Sequence, residues 1–177
     1  VKPHYVIGIK IPRDVADKLA TERDSWKLQS HKRQTHAEDM HITLLFIGED
    51  IHNELGKIQK LLANVKQKVF KIEITSIKTF GNPTTPRIVY AALETSQELN
   101  ELQQQVHNSL ETLKVKADPK KFVPHITLAS KWAGGKPEKL YFSIATISFE
   151  VMEFSLFRIA PKEIPRYQKV VNYPLEK

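Results

Sequence analysis

One tetrapeptide, His41-Ile42-Thr43-Leu44, recurs letter for letter as His125-Ile126-Thr127-Leu128, and this repeat constrains the chain more than any other feature. Each copy alternates polar and apolar residues, the pattern of a strand with one face on a core. Residues two apart on a strand share a face. His41 therefore projects with Thr43, and His125 with Thr127, while Ile42, Leu44, Ile126 and Leu128 turn toward a core. Each copy also follows a helical stretch that itself follows a strand. That order predicts one domain over residues 1–177, built of two related lobes whose motif strands face each other.

The remaining pattern fits this reading. Tyr5–Ile11 is rich in β-branched residues and closes at Pro12, so it reads as a strand. Val15, Leu19 and Trp26 mark a helix with Asp14 near its start, where a carboxylate suits the helix dipole. Ser30–Asp39 reads as a polar, basic loop before a strand at Met40–Ile47. Apolar residues from Ile51 to Val65 recur at helical spacing between Asp50 and about Lys66. Phe70–Ile74 alternates as a strand, and the turn-rich Gly81–Pro86 leads into another at Arg87–Leu93. Leu99, Leu102, Val106, Leu110 and Leu113 mark an amphipathic helix capped by Ser96. A strand at Val123–Ala129 and two late ones within Ile147–Ile159 and Tyr167–Tyr173 complete the chain. This mixed order predicts an α+β fold with helices packed outside sheets.

A strand carrying one imidazole and one hydroxyl on the same face supplies a proton carrier beside a hydrogen-bond donor. A single such pair carries little weight. Two identical pairs lining one cleft give what an in-line displacement at phosphorus requires, a base for the attacking oxygen and an acid for the departing one. Histidine suits both roles because its ordinary pKa near 6.5 leaves either protonation state accessible. The two positions look equivalent, so spacing does not say which is acid and which is base. No metal is needed to generate the nucleophile in such a scheme, and no cofactor is expected.

Together with other residues, these motifs carry a resemblance to a known family. The first motif continues as Leu45-Phe46-Ile47-Gly48-Glu49, and Phe80-Gly81 precedes Pro86-Arg87. The second motif opens as Phe122-Val123-Pro124, and Leu156-Phe157-Arg158 and Tyr167 follow late. Over nearly its whole length the chain resembles the RNA 2′,3′-cyclic phosphodiesterases, historically called 2′-5′ RNA ligases, of the 2H phosphoesterase superfamily. The resemblance implies a bilobal, pseudo-two-fold fold in which two antiparallel sheets line a central cleft. It also implies hydrolysis of RNA 2′,3′-cyclic phosphate ends, tRNA fragments among them, to 2′-phosphates. The reverse 2′-5′ ligation would run at the same site. It assigns His41 as proton donor and His125 as proton acceptor, with Thr43 and Thr127 on the substrate. Members of the family often carry Arg where this chain has Ser130; Lys131 is the nearest replacement, although Lys lacks the bidentate geometry of Arg.

Other residues add to the expected site. Arg33, in the run His31-Lys32-Arg33, is placed to guide a phosphate backbone toward the first motif. Phe80 and Tyr167 are candidate platforms for a nucleobase, with core packing as the competing use. His31, His36 and His41 are spaced unfavourably for a shared metal, and His31 and His36 read as solvated loop residues. Lys114, Lys116, Lys120 and Lys121, interrupted by Asp118, form a basic cluster ahead of the second motif. A net charge of +7 favours polyanionic partners. The absence of cysteine excludes disulfides, thiolate metal sites and thiol nucleophiles, and suits a reducing cytoplasm. No apolar run is long enough to span a bilayer, and the opening Val1-Lys2-Pro3-His4 lacks the layout of a secretory signal. The simplest assembly is a monomer. Two alternatives stand beside the RNA-end enzyme: a non-catalytic RNA-binding module that kept the cleft, and a phosphodiesterase for small cyclic nucleotides. A basic cleft extending past the phosphate would favour RNA over the latter.

Overall fold

The architecture was obtained as a computed structural model, which describes residues 2–115, 121–135 and 139–177. Lys116, Asp118 and Lys120 of the basic cluster lie outside these. Nine strands are described: β1 (His4–Lys10), β2 (His31–Gln34), β3 (His41–Glu49), β4 (Phe70–Asn82), β5 (Thr85–Leu93), β6 (His125–Trp132), β7 (Ile147–Val151), β8 (Glu153–Ile159) and β9 (Tyr167–Pro174). Three α-helices accompany them, α1 (Arg13–Ser25), α2 (Leu55–Leu62) and α3 (Gln97–Ser109), with a 3₁₀ turn at Ala37–Asp39.

Hydrogen bonding links the strands in the order β7-β4-β5-β6-β3-β1-β8-β9, with β2 paired to β6 off this path. All named strand pairs are antiparallel. Read outward from the middle, the two halves match: β3-β1-β8-β9 on one side, β6-β5-β4-β7 on the other. Each half contains a strand, a helix and a motif strand, as β1-α1-β3 and as β5-α3-β6. The halves join at one residue pair, Ile42 with Ile126. Both of these side chains are fully buried, in a core continuous from α1 to α3.

The helices brace the two halves crosswise. The first helix buries Val15, Ala16 and Leu19 and packs against β6, the motif strand of the other half. Likewise α3 buries Leu99, Leu102 and Val106 and packs against β3. Each also reaches a carbonyl of the strand beneath it. Arg23 on α1, 5% exposed, donates to the Leu128 carbonyl at 3.1 Å and also to that of Thr35. Gln103 on α3 donates to the Leu44 carbonyl at 3.4 Å. The equivalent leucines of the two motifs are thus each held by the helix of the opposite half.

Several elements depart from the sequence reading, each for a local reason. The expected loop at Ser30–Asp39 contains β2 and the 3₁₀ turn. Nothing apolar marks β2, because it is held by backbone pairing to β6, by polar contacts of His31 and, just past its end, by Arg23. His31 is buried there, not solvated: its Nε2 meets the Pro86 carbonyl at 2.7 Å and its Nδ1 the Ser30 hydroxyl at 2.9 Å. The second helix is shorter than its periodicity, because the Asp50 carboxylate accepts the Glu54 and Leu55 N–H groups and starts the helix there. Strand β4 runs on to Asn82 through Thr75, Ser76, Lys78 and Thr79, which lack an alternating apolar signal. Strand β6 begins at His125, since Pro124 has no N–H to give. The late region holds three strands, with Met152 breaking β7 from β8.

Gly8 sets how closely β1 approaches the first motif strand. It pairs with Thr43 beside a register shift, and a Cβ there would lie 2.6 Å from the Ile42 carbonyl oxygen and 3.6 Å from His41 Cδ2. The backbone of β3 would have to move, at the residue that joins the halves. Gly8→Ala is expected to lower the free energy of unfolding by about 1–3 kcal/mol. Urea denaturation checks this; an unchanged midpoint would show that β3 yields freely.

Candidate active site

The pair Ile42–Ile126 dictates the arrangement of the motif side chains. Antiparallel pairing at that point sets His41 across from Thr127 and Thr43 across from His125. With both isoleucines turned into the core, the two imidazoles and two hydroxyls share the opposite, half-buried face. A cavity of about 570 Å³ is lined by His41, Thr43 and Thr127. A second, of about 340 Å³, is lined by Thr43 and His125. Thr43 borders both, so the four residues stand along one cleft.

The imidazoles are fixed in the same way. His41 Nδ1 lies 2.7 Å from the Asp39 carbonyl oxygen, and His125 Nδ1 lies 2.8 Å from that of Val123. A carbonyl only accepts, so Nδ1 donates in each and the neutral tautomer leaves a lone pair on Nε2. Neither Nε2 has a partner among the described residues. Burial pushes both imidazoles below the ordinary histidine value, opposed in each by the carbonyl bond. In His41, the more deeply enclosed, the charge of His125 adds to the lowering and the Asp39 carboxylate counters it.

The two ends of the cleft differ in chemistry. At the His41 end lie Arg33, His36, Lys162 and Arg166, a predominantly basic lining. Tyr167 sits over His41 with ring centroids 4.2 Å apart, and burial raises its phenol above the usual tyrosine value, so it stays a donor. At the His125 end the lining is more apolar and aromatic, with Phe46, Phe80 and Phe122, although Arg87 and Lys121 also border it. Phe80 stacks on Tyr90 at 4.1 Å and turns its edge to His125 at 5.0 Å.

The expected site residues His41, Thr43, His125, Thr127, Arg33, Tyr167 and Phe80 thus line this cleft. Lys131 requires correction: it is exposed and borders neither cavity. Ser130 faces the cleft, so its neighbour, with positive φ, does not share that face. The cation at this place is Arg33, the cross-strand partner of Ser130 on β2. Sequence reasoning missed Asp39, which is 3% exposed. Its Oδ1 accepts the Arg166 N–H at 2.8 Å and the Tyr167 N–H at 3.2 Å. The only available signal was a carboxylate two residues ahead of a motif histidine. His31 and His36 are engaged separately, His36 Nδ1 accepting the Glu38 N–H. Among the described residues no group of three metal-ligating side chains converges, and no helix is long and apolar enough to cross a membrane.

Residues 12–162 match the model of the 2′-5′ RNA ligase superfamily, and the chain belongs to that superfamily, within the 2H phosphoesterases. It is 27% identical to the RNA 2′,3′-cyclic phosphodiesterase of Bacillus subtilis, across 99% of this chain and 98% of that protein. It is 31% identical to the protein of the same name from Geobacillus stearothermophilus, across 98% of this chain and 58% of its relative. The fold matches that of Escherichia coli LigT complexed with 3′-AMP, with a TM-score of 0.80 and 20% identity, over 99% of this chain and 100% of that one. A Thermus thermophilus structure matches at a TM-score of 0.79 and 22% identity, covering 97% of each chain.

The fixed Nδ1 bonds give a direct check. In ¹⁵N-detected imidazole spectra above pH 8, His41 and His125 are expected as Nδ1–H tautomers, and both should titrate below the ordinary histidine range. The Nε2–H tautomer at either residue would overturn the assigned geometry.

Proposed function

We propose that this protein hydrolyses RNA 2′,3′-cyclic phosphate ends to 2′-phosphomonoesters, acting as a metal-independent monomer in the cytoplasm. The observation that carries this reading is two imidazoles, each anchored through Nδ1 with Nε2 free, flanking two hydroxyls in one cleft. The names of the relatives supply the substrate class. Water attacks phosphorus as His125 Nε2 removes its proton; the P–O3′ bond breaks, and His41 Nε2–H delivers a proton to O3′. One P–O bond forms and one breaks, and the proton count balances across the two imidazoles. Thr43 and Thr127 donate to the non-bridging oxygens, where charge develops. Arg33 adds a cation beside them, and Phe80 and Tyr167 are aromatic platforms at the two ends. The same steps run in the same direction, with a 5′-hydroxyl attacking in place of water, give 2′-5′ ligation. A basic lining beyond the phosphate favours an RNA end over a small cyclic nucleotide. Retention of both histidines favours an enzyme over a binding module.

The test is turnover of an oligoribonucleotide ending in a 2′,3′-cyclic phosphate, in EDTA. Wild type is expected to yield a 2′-phosphate end, with His41→Ala and His125→Ala each lower by about 10²-fold or more. The rate should fall on both sides of an optimum, because one imidazole must be neutral while the other is protonated. Loss of activity in EDTA that added metal restores would overturn the mechanism, as would a rate that climbs into alkali without a downturn.

A further inference from the structure

The two motifs are identical from their histidines onward but differ two residues earlier, where Asp39 precedes His41 and Val123 precedes His125. We propose that Asp39 is a positioning residue that holds the proton on His41 and thereby makes it the acid of the pair; this rests on the two-histidine reading above.

Both residues at this place use the main-chain carbonyl alike, to accept Nδ1–H. Both also border the cleft, but only Asp39 adds a charged side chain there. Its carboxylate is buried, and its Oδ1 takes both the Arg166 and Tyr167 N–H groups at the start of β9. Those two bonds fix the backbone that carries Tyr167, whose ring covers His41 at 4.2 Å. One residue therefore orients the imidazole from its own strand end, seats its aromatic cover and places a negative charge within electrostatic reach. Val123 is 46% exposed and supplies no charge.

A charge here matters because His41 is surrounded mainly by cations. Across the cleft stands His125. Arg33 on β2, His36, Lys162, Arg166 and Glu163 line the same cavity, with the phenol of Tyr167 on β9. Lys10 is the β1 register partner of His41 and is exposed. Glu163 is exposed, which leaves Asp39 as the enclosed anion beside the ring. Burial and this cationic field both favour a neutral imidazole; a nearby negative charge favours the protonated one. The repeat gives each lobe the same proton carrier, and Asp39 breaks the tie between them.

Asp39→Asn separates charge from position, because an amide oxygen can accept the same two N–H bonds and the main-chain carbonyl is untouched. The thermal midpoint is expected to stay near wild type. The alkaline limb of the kcat/KM profile on the cyclic-phosphate oligonucleotide should move down by about one pH unit. The loss would then approach about tenfold at pH values above the alkaline limb and shrink toward the acid side of the optimum, with the acid limb unmoved. The His41 imidazole, followed by NMR in the protein without substrate, should titrate lower while His125 does not. Superimposable profiles and an unmoved His41 would overturn the proposal. If wild type turns over no cyclic phosphate, the reading of function fails, and the NMR titration still decides the role of Asp39. Should Asp39→Asn not fold, Val123→Asp asks the same question at an exposed position. A raised His125 titration supports the effect of a carboxylate at this place, and an unmoved one refutes it.

Discussion

The pairing of Ile42 with Ile126 is the constraint on which the site depends. A longer ladder between β3 and β6 would bring more of the two backbones together along the line where the cleft lies. With no pair at all, the imidazoles would belong to separate sheets with nothing to hold their spacing. One buried pair fixes the register, and register fixes faces, since a slip of one residue would turn both histidines into the core. The crosswise helices supply the stiffness that a one-pair joint lacks. Arg23 holds the Leu128 carbonyl and Gln103 the Leu44 carbonyl, so displacement of either motif strand strains a helix of the other half. Gly8 belongs to the same device, because only a residue without Cβ lets β1 lie close enough to seat β3.

A two-fold arrangement by itself gives two equivalent histidines, whereas an in-line displacement needs two different ones. The differences lie outside the repeated letters. The His41 end is lined by Arg33, Lys162 and Arg166 and covered by Tyr167, and the His125 end by Phe46, Phe80 and Phe122 together with Arg87 and Lys121. Much of the first lining comes from β2 and from the connection between β8 and β9. On the other side of the topology, the tight β4–β5 hairpin lines the cavity with Phe80 and Arg87 from the strands themselves. The symmetry of the strands therefore supplies the paired imidazoles, and the unequal connections make their surroundings differ.

The legibility of the sequence follows the same division. The motif strands, the capped helix α3 and the shared face of His41 and Thr43 were readable, because alternation and helical spacing are set by burial of neighbouring residues. Strand β2 was not. Its residues His-Lys-Arg-Gln carry no apolar pattern, and what holds it is a guanidinium from a distant helix. Asp39 was invisible for a related reason. Its carboxylate serves two backbone N–H groups on β9, the far end of the chain, and local pattern carries no trace of such a partner. The family resemblance assigned the roles of the two histidines, and the residues themselves gave no reason for that order.

Where the family resemblance expects an arginine this chain has Ser130, and the register of β2 sets another arginine beside it. Lys131 is the obvious substitute when the chain is read as a line, but the register shift in β6 between Thr127 and Ala129 turns Ser130, not Lys131, to the cleft. Arg33 is remote in sequence yet lies directly across from Ser130 in the β2–β6 pairing, on the same face of the sheet. Neighbours across an antiparallel ladder have Cβ atoms about 5 Å apart, well within the reach of an arginine side chain. A guanidinium arriving from β2 can therefore occupy the space left above a serine, and it retains the planar, bidentate donor set that a lysine lacks. The buried Arg23 that ties β2 to the second motif strand then acquires a purpose beyond packing. By holding the Thr35 and Leu128 carbonyls together it fixes the strand that delivers the cation. The place of the guanidinium beside the cleft is thus decided by the sheet and not by the motif.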